Sequence, residues 1–463
     1  MSVADARAVH LIGAGGFGMA AFGGLLQDRG VALTGSDLRR GPGTARLSAH
    51  GARITIGPHR AETVPAEALV IASAAIPADN PELRVAHERG QRVLTYPQAL
   101  GEFMRACAGV AIAGTHGKTT TTALVVAGAR AAQLDPSFVV GGDVPQFAAA
   151  GHCGADRWFV AEACEYAESF LHLAPRVAAI TNVEADHLDH YGSFERVVDA
   201  FRAFVARIDP HGVLITTPSV LARLGPVACA TRTVGSTIAA MTRAVRIRDV
   251  DGLPRFDVEG DIRLRDVGLA IPGRHSVENA MVALGVLHAM GVDVERARAG
   301  IEGFSGVARR LEPIAEHDDV VMLSDYAHHP TALSAVADAI FARYPGRRVV
   351  AAFQPHQASR TRDFFAGFAQ ALARFHVPLV TDIYGARESG PHAATVTAAE
   401  LAEAVRESNP AARYAGALSA VVPAIQAVVR PGDVVLLLGA GDIDDLRVEL
   451  PGAVSSALRR RAP

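Results

Sequence analysis

Cysteine, long apolar runs and net charge are all scarce in this chain, and each scarcity closes off a class of function. Among 463 residues there are four cysteines, Cys107, Cys153, Cys164 and Cys229, and none forms a CxxC pair. That argues against a zinc ribbon, a dithiol redox motif or a disulfide framework, so the four are expected to be reduced and mostly buried. No stretch reaches the ~18 consecutive apolar residues of a membrane span, and the opening MSVADARAVHLIGAGG has neither the cationic start nor the apolar run of a secretory signal. The expectation is a soluble, cytoplasmic protein with no membrane partner. Lys and Arg total 45 against 48 Asp and Glu, a formal net charge of -3. No overall basic field remains to hold nucleic acid, which is not expected as a partner.

What the chain does have is a composition, 49% hydrophobic and 20% charged, that can build several cores. At ~150 residues per domain, its length suggests about three domains. Short apolar runs alternate with Ala-rich helical stretches, beginning with a strand at 9–13 and a helix at 19–27. This alternation predicts an α/β fold with parallel sheets covered by helices. Further strands are expected at 68–73, 110–113, 158–161, 178–181, 213–216, 320–323, 349–353, 379–381 and 433–439. Between about Thr233 and Ala270, β-branched and charged residues alternate around DG and EGD turn signals, which predicts antiparallel ribbons. A helical connection at 97–105 and the stretch 303–310 mark the seams, giving domains 1–106, 107–308 and 309–463. The terminal SSALRRRAP reads as a helix end with solvated arginines and a frayed tail.

In open α/β sheets ligands gather beyond the carboxyl ends of strands, so the chemistry is sought there. The first strand runs into GAGGFG, where Gly13, Gly15 and Gly18 open a helix, and Asp37 ends the next strand about twenty residues later. Such glycines allow a tight turn and let backbone N–H groups approach a pyrophosphate at a helix N-terminus. The cluster therefore reads as a dinucleotide or nucleotide-sugar site, or else as a turn that merely permits close packing. Spacing does not separate NAD from a UDP-sugar, because both present a pyrophosphate and a ribose.

The strand at 110–113 runs into Gly114-Thr115-His116-Gly117-Lys118-Thr119-Thr120 and a helical TTALVVAGARAA. This is a phosphate loop: backbone donors at a helix start surround ATP phosphates, Lys118 neutralises β and γ oxygens, and the Thr119 hydroxyl can hold Mg²⁺. The loop is shorter than GxxxxGK[ST], which would need glycine where Ile112 stands. Two more strand ends carry Glu162-Ala163-Cys164-Glu165-Tyr166 and Asn182-Val183-Glu184-Ala185-Asp186-His187. Mg²⁺ takes hard oxygens and shares them with substrate phosphates, which suits Glu162; His187 is a less usual ligand. The structural alternatives are a helix-capping cluster and a buried, hydrogen-bonded histidine.

GTHGKTTT closely resembles the ATP-binding loop of the Mur ligase family, whose members make amide bonds in cytoplasmic peptidoglycan precursors. GAGGFGM, the SAAIPADNPEL segment and the chain from about residue 9 to about residue 445 resemble the members that attach L-alanine to UDP-N-acetylmuramate. The resemblance implies three domains: an N-terminal Rossmann-like UDP-binding domain, a central P-loop ATPase-like domain with a mostly parallel sheet, and a C-terminal Rossmann-like acceptor domain. It implies that Gly13, Ala14, Gly15, Gly16, Phe17, Gly18, Asp37 and Ser73 hold the UDP-sugar, with no nicotinamide needed. It further implies ATP on Gly114, Thr115, His116, Gly117, Lys118, Thr119 and Thr120, and Mg²⁺ on Thr119, Glu162 and His187. The family commonly reads EADES; here Cys164 takes the usual Asp position, which puts a second carboxylate from this segment in question. A nucleophilic Cys164 would need a specific Cys/His geometry.

The segment PGRHSVENA reads by itself as a turn and helix cap, and it resembles the family's adenosine-contacting GxHNxxN. His275 and Asn279 match, while Ser276 replaces the first Asn. Arg310, at the entry to the third domain, joins the ATP candidates. The strand at 320–323 ends in Ser324-Asp325-Tyr326-Ala327-His328-His329-Pro330, which is either ordinary capping or the family's DYxHHP, a motif that helps join ATP to the incoming amino acid. FQPHQASRT resembles the family's FQPHxxSRT; Gln357 replaces the usual Arg, and Arg360 remains able to bind a carboxylate or phosphate bidentately. The terminal GAGDI is read as mostly architectural.

The reaction so implied phosphorylates the lactyl carboxylate with ATP, after which the alanine amine displaces phosphate. Lys118 and Glu162 would serve the phosphoryl transfer, His187 and Arg360 the oxyanion, and Asp325 or His328 would orient or deprotonate the amine. Domain closure around the ligands is expected, in a monomer or weak homodimer. Competing readings are a ligase that adds a preformed tripeptide to the same UDP-sugar, a sensor that binds both nucleotides without turnover, and a P-loop motor. The last leaves the first glycine cluster without a reason.

Overall fold

The computed structural model describes residues 2–385 and 396–461; the expected frayed tail, 462–463, lies outside them. Three sheets follow one another along the chain. The first holds β1 (Ala8–Ile12), β2 (Ala32–Asp37), β3 (Arg53–Ile56), β4 (Leu69–Ala72) and β5 (Val93–Thr95) in the order β3-β2-β1-β4-β5, all parallel. The order reverses direction between β1 and β4, and the glycine cluster leaves β1 at that switch point, where α/β sheets open a crevice for ligands.

The second sheet has ten strands: β6 (Ala108–Ala113), β7 (Ser137–Val139), β8 (Gly151–His152), β9 (Trp158–Glu162), β10 (Val177–Ile180), β11 (Val213–Thr216), β12 (Ala230–Gly235), β13 (Thr242–Val250), β14 (Leu253–Glu259) and β15 (Leu264–Gly268). Strands β6, β9, β10 and β11 are almost wholly buried and mainly apolar, as strands covered on both faces must be. The expected antiparallel ribbons are β13, β14 and β15, while β12 pairs in parallel with β11. Helices Lys118–Ala131, Arg274–Ala289 and Val294–Glu302 pack together against this sheet.

The third sheet orders β16 (Glu312–His317), β17 (Val320–Asp325), β18 (Val349–Phe353), β19 (Val377–Thr381), β20 (Arg413–Gly416) and β21 (Val434–Leu438) as β16-β17-β21-β18-β19-β20. Only β16 is antiparallel. It was not anticipated between the stretch 303–310 and β17, because its EPIAEH sequence alternates weakly and is largely half-exposed.

The two joints between these sheets differ. The first is apolar: Phe22, Phe103 and Phe159 form an edge-to-face chain with centroids 5.9 and 4.9 Å apart, inside one cluster that runs from the first sheet into the second. His152 adds a clamp, 3.0 Å from both Asp28 and Asp135. The cores of the third sheet are separate clusters, and its joint to the second is polar. The cysteines depart from expectation, since Cys164 is exposed and the other three are half-buried. Among the described residues no helix is long and apolar enough to cross a membrane.

Candidate active site

Strand β6 ends at Ala113, the loop 114–117 turns, and the helix begins at Lys118 with Gly117 as its cap at φ 81°, a left-handed conformation suited to glycine. A side chain at Gly117 would also run into the Asn279 amide, so helix Arg274–Ala289 lays Asn279 directly over the phosphate loop. The Thr115 amide donates to the Asn182 carbonyl (3.1 Å) and the His116 amide to Asn182 Oδ1 (2.8 Å). Those two amides brace the loop against the end of β10, while the amides of Lys118, Thr119 and Thr120 form the open first turn of the helix. Asn182 was not singled out from sequence, although it immediately follows an expected strand.

Lys118 Nζ donates to the Gly114 carbonyl (2.6 Å) and pairs with Glu165 (2.8 Å). Burial works against the ammonium, but the Glu165 carboxylate outweighs it and holds the Lys118 pKa above its usual value. Glu165, unassigned from sequence, is thus the partner of the lysine that opens the helix after the glycine loop. Thr119 Oγ1 donates to Glu162 Oε2 at 3.2 Å, and the Gly141 amide donates to Glu162 Oε1. Burial raises the Glu162 pKa against those donors and Lys118. Two hard oxygens at this separation match neighbouring positions around a Mg²⁺ with ligands at ~2.1 Å. His187, at φ 53°, meets this group through Glu165, 3.8 Å away. Burial lowers its pKa, leaving it neutral and available as a donor or ligand. Cys164 opens to the cleft, but the protein packed around it and the Glu165 charge push its thiol to about 11, which disfavours a nucleophilic thiolate.

In the first domain, Asp37 Oδ2 accepts the Gly15 amide at 2.8 Å, and the Gly13 and Ala14 amides both donate to the Ser36 carbonyl at 2.9 Å. The glycine turn is therefore tied to the end of β2, with Asp37 shaping it rather than standing open to a ribose. Helix Phe17–Asp28, capped by Gly16, leaves Phe17 and Gly18 at the start where a pyrophosphate would sit. Gly18 is packed against the Tyr96 ring, and Ser73, at the end of β4, lies beside Gly13.

From the third domain, Asp325 is only 5% exposed and spends both oxygens on backbone, accepting from Leu311 (2.8 Å) and Ala327 (2.7 Å). Those two bonds fix the domain entry and the loop of His328. His328 Nδ1 donates to the Tyr326 carbonyl at 2.9 Å, which leaves Nε2 as the acceptor. Burial, aided by Arg360, holds its pKa well below the ordinary range. Arg309 and Arg310 both stack on Tyr326, at 4.8 and 5.1 Å from the ring centroid. His275 stands in the first turn of helix Arg274–Ala289, where its surroundings and then Arg310 lower its pKa to about 4. Ser276 donates to the Pro272 carbonyl (2.7 Å), so it closes its own turn instead of replacing the nucleotide contact.

Arg360 binds a carboxylate across the joint between the second and third domains. Its Nε and Nη2 donate to Asp186 Oδ1 at 3.1 and 2.7 Å across the joint, and Nη1 donates to Gln357 Oε1 at 3.1 Å. Its carboxylate partner is the protein's own Asp186, so Arg360 docks the third domain onto the loop after β10. The same loop docks a second time where Thr331 Oγ1 donates to Glu184 Oε2 at 2.7 Å. Contacts thus link Lys118, Thr119, Glu162, His187, Asn279, His328 and Arg360 from the phosphate loop across to the third domain.

Three family models match in succession: the catalytic domain of the Mur ligase family over residues 8–108, the Mur ligase middle domain over 112–287 and the Mur ligase glutamate ligase domain over 309–441. A UDP-N-acetylmuramate–L-alanine ligase of Salinibacter ruber is 40% identical, covering 94% of this chain and 93% of its own. One from Sorangium cellulosum is 39% identical, covering 95% and 94%. The crystal structure of the Thermotoga maritima UDP-N-acetylmuramate–alanine ligase superposes with a TM-score of 0.81 at 25% identity, over 97% of this chain and 99% of that one. A murein peptide ligase from Psychrobacter arcticus shares the fold, with a TM-score of 0.71 at 23% identity over 97% and 98%.

Proposed function

The chain belongs to the Mur ligase family, and from that premise we propose that it is the ATP-dependent ligase joining the lactyl carboxylate of UDP-N-acetylmuramate to the amino group of L-alanine, with release of ADP and phosphate, in cytoplasmic peptidoglycan-precursor synthesis. The observation that carries the reading is the docking of Arg360 on Asp186 in the loop after β10, beside which His329 of the third domain packs 5.0 Å from His116 of the phosphate loop. On this reading a phosphorylation site and an acceptor site share the joint.

A carboxylate is a poor acyl donor until phosphorylated. The UDP-sugar rests on the start of helix Phe17–Asp28, with Ser73 and the Asp37-braced glycine turn fixing its position. Lys118 exchanges Glu165 for the β and γ oxygens of ATP, and the amides at 118–120 meet the phosphates. Thr119 and Glu162 are the pair that would hold Mg²⁺, which supplies neutralisation of phosphate charge when bound. Asn279 and His275 border the nucleotide, with Arg310 reaching in from the domain entry. His328 Nε2, unprotonated, takes a proton from the alanine ammonium, which frees the amine lone pair to attack, and His187 donates toward the developing oxyanion. Domain boundaries at 106/107 and 308/309 follow from this division of labour, and we read the protein as a monomer or weak homodimer.

The test is ADP release by purified protein with Mg²⁺, ATP and UDP-N-acetylmuramate, comparing no acceptor, L-alanine, glycine, L-serine and the murein tripeptide. Turnover that requires both the UDP-sugar and L-alanine is expected. Release driven by the tripeptide alone moves the reading to wall recycling, and tight binding of both nucleotides without stimulated turnover makes the protein a sensor.

A further inference from the structure

Outside the Thr119–Glu162 pair, the described residues hold one group of three ligand-type side chains whose donor atoms converge: His116, Glu184 and His329, with ligand atoms all within 4.8 Å of one another. The three come from different places. His116 is in the phosphate loop, Glu184 in the loop after β10, and His329 caps helix Pro330–Arg343 of the third domain. We propose that this cluster is a second divalent-cation site, separate from the Mg²⁺ pair, that takes a borderline first-row metal of the Zn²⁺ class and ties the phosphate loop to the third domain.

Four observations support it. His116 Nε2 lies 3.5 Å from Glu184 Oε2, close to the roughly 3.4 Å between two donors of a tetrahedral ion with ~2.0–2.1 Å bonds. His329 is 5% exposed, and both its Nε2 and His116 Nε2 are buried without a hydrogen-bond partner. Buried polar atoms are nearly always satisfied, so an orphaned His329 Nε2 beside a His116 Nε2 whose ion-pair partner, Glu184 Oε2, stands 3.5 Å away is a specific anomaly. Glu184 is positioned from outside by the Thr331 hydroxyl at 2.7 Å, the kind of supporting hydrogen bond that orients a ligating carboxylate. The remaining separations close with side-chain rotation, as the two imidazole rings already sit 5.0 Å apart.

The donor set decides the metal. Two imidazoles and one carboxylate suit Zn²⁺, Co²⁺ or Ni²⁺, whereas the oxygen pair at Thr119 and Glu162 suits Mg²⁺. One proton must move. His329 Nδ1 accepts the Thr331 amide at 3.3 Å, so the neutral ring carries its proton on Nε2. Binding transfers that proton to Nδ1, breaks a long hydrogen bond and makes a metal bond with the freed Nε2 lone pair. The inference does not depend on which acceptor the enzyme uses.

The experiment is a Co²⁺ titration of the full chain after chelator treatment, with Mg²⁺ in millimolar excess, read by visible d–d absorption and by metal content after desalting. One Co²⁺ per chain, resistant to Mg²⁺ and displaced by Zn²⁺, is expected. Glu184→Gln and His329→Gln should each weaken binding by about 100-fold, and Thr331→Val, which leaves all three ligands, by about 10-fold. Binding of an ATP analogue with Mg²⁺ reports that each variant is folded. Absence of Mg²⁺-resistant Co²⁺ binding by the unmodified chain overturns the proposal whatever the variants do, and so does binding unchanged in folded Glu184→Gln and His329→Gln.

Discussion

The Asp186–Arg360 bridge is the feature whose removal should be felt most clearly, because it is buried and crosses the polar joint. Both side chains are under a tenth exposed, and the guanidinium makes two bonds to a single carboxylate oxygen. Asp186→Asn leaves Arg360 charged and largely unpaired. Breaking a buried pair from one side costs about 3–5 kcal/mol, and since the amide oxygen of Asn keeps one hydrogen bond we expect about 3 kcal/mol. At 1.4 kcal/mol per tenfold, the undocked population rises about 100-fold. Amide exchange under native conditions reads this directly. The seam segments 184–187 and 356–361 should exchange about 100-fold faster, with β1 unaffected. Asp186→Asn combined with Arg360→Met, which leaves no orphaned charge, should recover part of the protection. The linkage has a definite sign. Arg360 holds the Asp186 carboxyl below its ordinary value against the opposing effect of burial, so the contribution is complete above about pH 4 and is lost as pH falls toward the lowered value. Seam protection should therefore be flat from pH 5 to 8. Exchange within threefold of the unmodified protein in Asp186→Asn, or a double variant that is simply additive, would refute the reasoning.

Glu162→Gln keeps the shape of the metal-side carboxylate and removes its charge, so the Mg²⁺ concentration for half-maximal ADP release should rise and turnover should fall on the order of 100-fold; unchanged Mg²⁺ dependence would remove Glu162 from the metal site. Glu82 is fully buried among Ser36 and Thr63 at 2.6 Å and His10 at 3.4 Å, which hold its pKa down to about 2 against burial. It contributes about 3 kcal/mol above pH 4.5 that disappears as pH falls to 2, so Glu82→Gln should flatten the acid limb of thermal stability measured by circular dichroism. In Gly18→Ala the new methyl lies 2.9 Å from the Tyr96 hydroxyl, which should cost about 1–3 kcal/mol and weaken UDP-sugar binding in calorimetry while ATP binding persists.

The strands that carry the cleft were legible because fully buried parallel strands are written as unbroken Val, Ile, Leu and Ala runs, and β11 and β18 fall where those runs fall. The short strands β7 and β8 have too few residues for any period to show, and with them the Gly141 amide that holds Glu162 went unseen. Partners were harder to read than elements. Arg360 and Asp186 are 174 residues apart, and nothing local in FQPHQASRT or NVEADH says that each satisfies the other. The pairing of Glu165 with Lys118 is hidden for the same reason, although both residues stand in motifs whose chemistry was plain. Sequence therefore identified which groups are reactive, and the tertiary contacts decide which of them already have a partner.

That distinction bears on the three departures from the family pattern. Ser276 and Gln357 are absorbed locally, one by the Pro272 carbonyl and the other by the Arg360 guanidinium, so neither leaves an unpaired group. Cys164 is different, because its neighbours Glu165 and Glu162 are acidic and its thiol is held protonated at about 11. A neutral group here spares the cleft a third negative charge beside Lys118, at the expense of attraction for a divalent cation. Cys164→Asp restores that charge. Two carboxylates close together raise each other's pKa in the absence of metal, and a bound cation relieves the repulsion, so the gain should appear in metal affinity. The Mg²⁺ needed for half-maximal ADP release should fall several-fold in Cys164→Asp while ATP affinity at saturating Mg²⁺ stays level. An unchanged Mg²⁺ requirement would mean that residue 164 does not sense the metal pair, and that Thr119 and Glu162 set the cation affinity without it.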